Sequence, residues 1–87
     1  MAKLILAIDD DKLMHHIIEE SLAGFCKVIH AKNGEDGIRQ AIKYNPDIIL
    51  LDVEMPGMSG YEVCQTIKQN KATTDIPVMF LSSKVGQ

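Results

Sequence analysis

Four aspartates close two short apolar runs in this chain. Asp9, Asp10 and Asp11 follow Lys3 to Ile8 (KLILAI), and Asp52 follows Ile48 to Leu51 (IILL). If the two runs are neighbouring parallel strands, Asp9, Asp10 and Asp52 meet at one sheet edge in an apolar-walled pocket. Like charges at such range repel, and either their pKa values rise or a cation joins them. Oxygen donors with room for water suit Mg²⁺ better than zinc, which prefers His and Cys. The plainer reading makes the first three aspartates a helix cap that answers the helix dipole, and Asp52 a turn former. One of the three is expected to cap, but three in succession exceed what a cap requires. Ser82 closes a further apolar run, Val78 to Leu81, on the same edge. Its hydroxyl can serve as an ordinary turn group or hydrogen-bond an oxyanion held at Asp52.

These side chains need elements to position them. Ile48 to Leu51 is too short for a helix, lies between Pro46 and Pro56 and is apolar throughout, which predicts a central strand covered on both faces. Pro56, Gly57 and Gly60 then interrupt regular structure, and Ser59 with Glu62 forms an S-x-x-E capping box for the next helix. Lys3 to Ile8 is the first strand. From Lys12 the period becomes helical, with Met14, Ile17, Ile18, Ser21, Leu22 and Phe25 on one face and Gly24 as the stop. Cys26 to Ala31 alternates enough to be a strand near a sheet edge. Asn33 caps a second helix with Glu35 and Asp36 in its first turn and Ile38, Ala41 and Ile42 inward, ending before Asn45-Pro46. A third helix, Tyr61 to about Asn70, turns Val63, Cys64 and Ile67 inward. The polar connection Lys71 to Asp75 leads to Val78 to Leu81, a fourth buried strand. The order βαβαβαβ predicts an α/β fold with parallel strands, right-handed crossovers and helices on both faces of one sheet. Ligands of such sheets bind at the carboxyl ends of the strands, where Asp52 lies.

Composition limits the alternatives. The 87 residues, 46% hydrophobic and 24% charged, allow one soluble domain, 1–87, with a small core. Net charge is −3 without clustered Lys or Arg, which argues against a nucleic-acid groove or an anionic membrane surface as partner. No apolar run reaches membrane-span length and no signal peptide is evident, so the expected location is the cytoplasm. Cys26 and Cys64 are in neither C-x-x-C nor zinc spacing and are expected to be reduced core thiols. Neither His15 nor His16 has a second His at i+4, and both are expected to face solvent, as is His30 in a strand near a sheet edge. Met55 and Met58 are expected to pack the loop.

With the residues IDDD, AKNGEDG, LLDVEMPGMSGYE and IPVMFLSS in this order, the chain resembles the receiver domain of two-component response regulators. The D-x-x-M-P-G-x-x-G segment, the acidic pair and the Ser closing the fourth strand make the resemblance specific, and it covers the whole chain. It implies a flavodoxin-like doubly wound parallel sheet of strand order 2-1-3-4, without the family's usual fourth helix, fifth strand and fifth helix. It further implies that Asp52 is the phosphoacceptor, Asp10 a direct Mg²⁺ ligand, and Asp9 a contributor through metal-bound water. The Glu54 main-chain carbonyl would complete the protein ligands, and Ser82 would be the switch hydroxyl. The implied partner is a sensor histidine kinase or phosphotransfer protein, and the domain would catalyse its own phosphorylation rather than turn over a substrate. The chain stops before the family's fifth-strand Lys, and Lys84 is too near Ser82 to replace it, which implies impaired phosphorylation. The uncovered fourth strand and first-helix face imply a homodimer.

Two other classes compete. Asp52-Val-Glu54 is loosely like the D-x-D site of aspartyl-nucleophile phosphohydrolases, although Glu54 and Pro56 stand where that family wants a second Asp and a Thr. A non-phosphorylated interaction module would keep the fold without the switch.

Overall fold

The two apolar runs that end in aspartate form the middle of a four-stranded parallel sheet, and the alternating run forms one of its edges. The computed structural model describes residues 3–81. The elements are β1 (Lys3–Ile8), α1 (Lys12–Leu22), β2 (Cys26–Ala31), α2 (Gly34–Tyr44), β3 (Ile48–Asp52), α3 (Gly60–Gln69) and β4 (Val78–Leu81). All pairs are parallel, in the order β2-β1-β3-β4. This is the expected doubly wound order.

Side-chain alternation divides the core between the two faces. Leu6, Ile8, Ile49 and Leu51 are buried on one face with Ala41 of α2 and Val63 and Ile67 of α3. On the opposite face Ile5 and Ala7 lie beneath α1, of which only Ile18 is buried. The stripe expected on α1 is therefore only partly used: Ile17 stays 47% exposed, and Phe25 beyond the helix 78%. α1 packs against β2, and among the described residues no helix packs on the β3–β4 side of that face. The cysteines are also less enclosed than expected, since Cys26 and Cys64 are half-buried free thiols.

The register depends on local chemistry. Asp47 clamps the entry of β3 to β1 by accepting the Leu4 N–H on Oδ2 at 2.7 Å while donating its own N–H to the Leu4 carbonyl at 2.8 Å. Ile8 then pairs with Leu51, so the next residues, Asp9 and Asp52, emerge side by side. The capping box at the start of α3 is present in full: Ser59 N–H donates to Glu62 Oε1 at 2.9 Å and Glu62 N–H to Ser59 Oγ at 3.3 Å. Asn33 caps α2, and α2 ends at Asn45 in the left-handed conformation, φ 48°.

β4 is the uncovered strand that the resemblance implied rather than a strand buried on both sides. It is an edge, with Met79 53% and Phe80 41% exposed, because β3 is its only neighbour among the described residues. Thr73, read as part of a polar connection, is buried and donates its hydroxyl to the Ile67 carbonyl at 2.7 Å, closing the end of α3.

Candidate functional site

The carboxyl ends of β1 and β3 deliver the acidic cluster. One carboxylate oxygen from each of Asp9, Asp10 and Asp52 lies within 4.8 Å of the others. Asp9 and Asp52 are 1% and 2% exposed, while Asp10 is open to solvent. Asp11 is the aspartate spent on capping: its side chain accepts the Leu13 N–H at 2.9 Å and starts α1. The cap and the cluster thus use different members of the same acidic run.

The buried pair is only partly satisfied. Asp9 Oδ1 accepts the Asp11 N–H at 2.9 Å, and Asp52 Oδ1 accepts the Glu54 N–H at 3.4 Å. Asp9 Oδ2 is buried and has no hydrogen-bond partner among the described residues. A protonated Asp9 can donate to Asp52, whereas two carboxylates facing each other have no proton to share. Burial, and then the charges of Asp52 and Asp10, push Asp9 up from the ordinary aspartate range to about 6, against the lowering influence of the Asp11 N–H. A buried orphan oxygen within an all-oxygen donor set is the chemistry of a hard divalent cation site, and these residues fit Mg²⁺.

A stability consequence follows for the cation-free chain. Asp9 binds its proton more tightly folded than unfolded, so between about pH 4 and pH 6 the native state holds more protons, and stability falls as pH rises through that window. Below it the penalty is absent, and above it the penalty is complete. Asp9→Asn removes the penalty and is expected to raise cation-free stability at pH 7 by about 1 to 3 kcal/mol. Urea unfolding of parent and variant at pH 4 and pH 7 in chelator checks this, with the difference confined to pH 7.

Asp10 and Glu54 line one cleft of about 630 Å³ together with Met55, Pro56, Ser59 and Tyr61. Met55 is buried and Met58 packs against the core, as expected of loop methionines. Tyr61, which the sequence reading took only as the start of a helix, flanks the acids and meets Phe80 of β4 with ring centroids 5.3 Å apart. Ser82, assigned the switch role, lies outside the described residues, as does Lys84.

The histidines correct one expectation. His16 faces solvent beside Glu20, at 3.4 Å. His15 and His30 instead stack on each other, centroids 4.5 Å apart and planes 21° from parallel, with His15 Nε2 and both His30 nitrogens buried and without a hydrogen-bond partner among the described residues. Burial and the neighbouring His30 hold the His15 pKa below its ordinary value, which favours the neutral ring. This stack fastens α1 to β2 behind the acidic cluster.

Comparison with known proteins agrees with the architecture. The chain is 38% identical over 88 residues to the response regulator PleD of Caulobacter vibrioides, covering 100% of this chain and 19% of that protein. It is 39% identical over 83 residues to the protein PilG of Pseudomonas aeruginosa, covering 94% of this chain and 62% of that one. It thus spans about a fifth and about three fifths of the lengths of these relatives. The solved N-terminal domain of a response regulator receiver protein from Methanoculleus marisnigri superposes with a TM-score of 0.91 at 33% identity, over 100% of this chain and 72% of that chain. Chemotaxis protein CheY4 of Vibrio cholerae gives a TM-score of 0.89 at 26% identity, over 99% and 72%. Among the described residues no helix is long and apolar enough to cross a membrane. Residues 5–87 match the family profile described as the response regulator receiver domain, and with the parallel 2-1-3-4 sheet and acids at its carboxyl edge, the chain belongs to that family.

Proposed function

We propose that this receiver, acting as one domain over residues 1–87, accepts a phosphoryl group on Asp52 from a phosphohistidine of a sensor histidine kinase or phosphotransfer protein. The observation that carries this reading is the buried Asp52 at the end of β3, beside Asp9, whose Oδ2 has no partner among the described residues, and the open cleft at Asp10. An Asp52 carboxylate oxygen attacks phosphorus, the phosphorus–nitrogen bond breaks, and its electron pair returns to the imidazole, leaving an acyl phosphate. The Glu54 N–H holds one Asp52 oxygen and so limits rotation of the nucleophile. Asp9, Asp10, Asp52 and the Glu54 carbonyl would hold Mg²⁺, which supplies positive charge to screen the phosphoryl oxygens. Ser82 is assigned to bind the transferred group, and the protein is a self-phosphorylating switch in the cytoplasm rather than a turnover enzyme.

Mg²⁺ titration followed by amide NMR tests the cation site. Shifts are expected at Asp9, Asp10 and Val53 with weak affinity, since few protein ligands and several waters make a site rather than a cage. Asp52→Asn is expected to weaken binding about tenfold. Equal affinity in parent and variant would place the cation elsewhere.

A further inference from the structure

The turn that carries Asp10 belongs to a closed circuit of contacts. Asp9 donates its N–H to the Ala31 carbonyl at 3.0 Å, and Asp11 donates its own to Asp9 Oδ1 at 2.9 Å. In the first turn of α1 the His15 N–H donates to the Asp11 carbonyl at 3.2 Å. The His15 ring then stacks on His30, the residue before Ala31, and closes the circuit. Asp10 lies within it, between two residues whose places the circuit fixes. The stack is the one joint made between two side chains.

Little else holds the start of α1 in place. Ile18, about one turn beyond His15, is the only buried residue of the helix. The placement of the first turn over the acids therefore depends on the stack and on the Asp11 cap. His30 is itself held from the other side of the sheet. Gln40 Nε2 of α2 donates to the His30 carbonyl at 3.0 Å and to Asp36 Oδ2 at 2.9 Å. The end of β2 is thus fixed against α2, and α1 hangs from it through the two rings.

We infer that His15 and His30 are positioning residues of the acidic site: their stack fixes the Asp9–Asp11 turn so that the Asp10 carboxylate stands within 4.8 Å of those of Asp9 and Asp52. The rings act through the turn and touch neither cation nor phosphoryl group. Asp10 is the member that needs this support. Asp9 and Asp52 are enclosed by the protein, whereas Asp10 is open to solvent, so the backbone that carries it sets its direction. Groups that orient a metal ligand from behind typically carry about a 10- to 100-fold share of the affinity. The inference rests on the reading of Asp9, Asp10 and Asp52 as the cation site and adds what aims its exposed ligand.

Mg²⁺ titration followed by amide NMR tests it on the parent, His15→Ala, His30→Val, His30→Phe, Ile67→Val and Asp52→Asn. Ala suits a helix and Val a strand, so the two ringless variants keep their elements while losing the stack. Each is expected to bind Mg²⁺ about tenfold more weakly. In chelator, where no cation takes part, their Asp11 amide is expected to exchange with solvent about tenfold faster. His30→Phe keeps a ring against His15 and removes two buried nitrogens that have no hydrogen-bond partner among the described residues. It is expected to bind Mg²⁺ within about twofold of the parent and to unfold at a higher urea concentration. Ile67→Val shortens a core side chain on the opposite face of the sheet, and is expected to lower the urea midpoint with Mg²⁺ affinity unchanged. Affinity that follows the ring rather than the urea midpoint is the signature of positioning. Affinity and Asp11 exchange indifferent to both ringless variants, while Asp52→Asn still weakens binding, would overturn this inference and leave the site reading standing. His30→Phe binding as weakly as His30→Val, or Ile67→Val losing as much, would overturn it as well. A parent whose acids show no Mg²⁺ shifts would overturn the site reading and this inference together.

Discussion

Asp52→Asn is expected to abolish phosphoryl uptake from a small acyl-phosphate donor, lowering the rate by at least about 10³-fold while leaving the fold intact. The size of the effect follows from what the substitution removes. Asn has the shape of Asp but an amide oxygen that is a poor nucleophile, and Asp52, closing β3, is the carboxylate the geometry offers. The fold has no reason to suffer. Asp52 is buried against Asp9, and neutralising it removes one of the charges that push Asp9 upward. Cation-free stability is therefore expected to hold or rise. Time-resolved intact-mass measurement gives the rate, and urea unfolding gives the stability. Uptake by the variant at the parent rate would remove Asp52 from the chemistry.

The second large effect is expected at Gly60, which does no chemistry. Its N–H donates to the Val53 carbonyl at 3.0 Å, bringing the start of α3 directly against the end of β3. A Cβ at this position would run into the Asp52 carbonyl oxygen and lie 2.9 Å from Val53 Cα and 3.0 Å from the Asp52 carbonyl carbon. These obstacles are backbone atoms, so no rotamer change relieves them. Gly60→Ala must push α3 off the strand or displace the peptide that carries Asp52. The expected cost is about 2 to 3 kcal/mol of stability and a phosphoryl-uptake rate about 10- to 100-fold slower, as small misplacements of a reacting group cost that much. Gly57→Ala serves as a comparison. Gly57 has φ 79° but open space around its missing Cβ, so it is expected to lose stability from backbone strain with little change in rate. Equal rates for Gly60→Ala and parent would show that the close approach does not position Asp52.

Much of this arrangement was legible in the sequence because it is written locally. Uninterrupted apolar runs marked β1 and β3, the S-x-x-E box marked the start of α3, and an acidic run longer than a cap needs marked the site. Asp11 proved to be the cap, and Asp9 and Asp10 remained to face Asp52. What was not legible depends on how elements sit on one another. Helical periodicity identified one apolar face of α1, part of it expected to be uncovered, but not which of its residues the sheet leaves out, and these are Ile17 and Phe25. The His15–His30 stack joins residues from a helix and a strand whose relative placement no local pattern encodes. Thr73 looked like a loop residue because its burial is made possible by one hydrogen bond to the Ile67 carbonyl, which composition does not reveal. β4 reads as enclosed from its apolar run alone, and the expectation that it lies uncovered is the one the described residues bear out.

The most direct test of the account is to locate the phosphoryl group. The chain is incubated with an acyl-phosphate donor, with Mg²⁺ or with chelator, and the labelled peptide is then mapped under conditions that preserve acyl phosphates. The account predicts one phosphoryl group per chain, bound to Asp52 as a hydroxylamine-sensitive acyl phosphate and formed only with Mg²⁺. Label on His15, His16 or His30, label formed equally well in chelator, or donor consumed through many turnovers would contradict it.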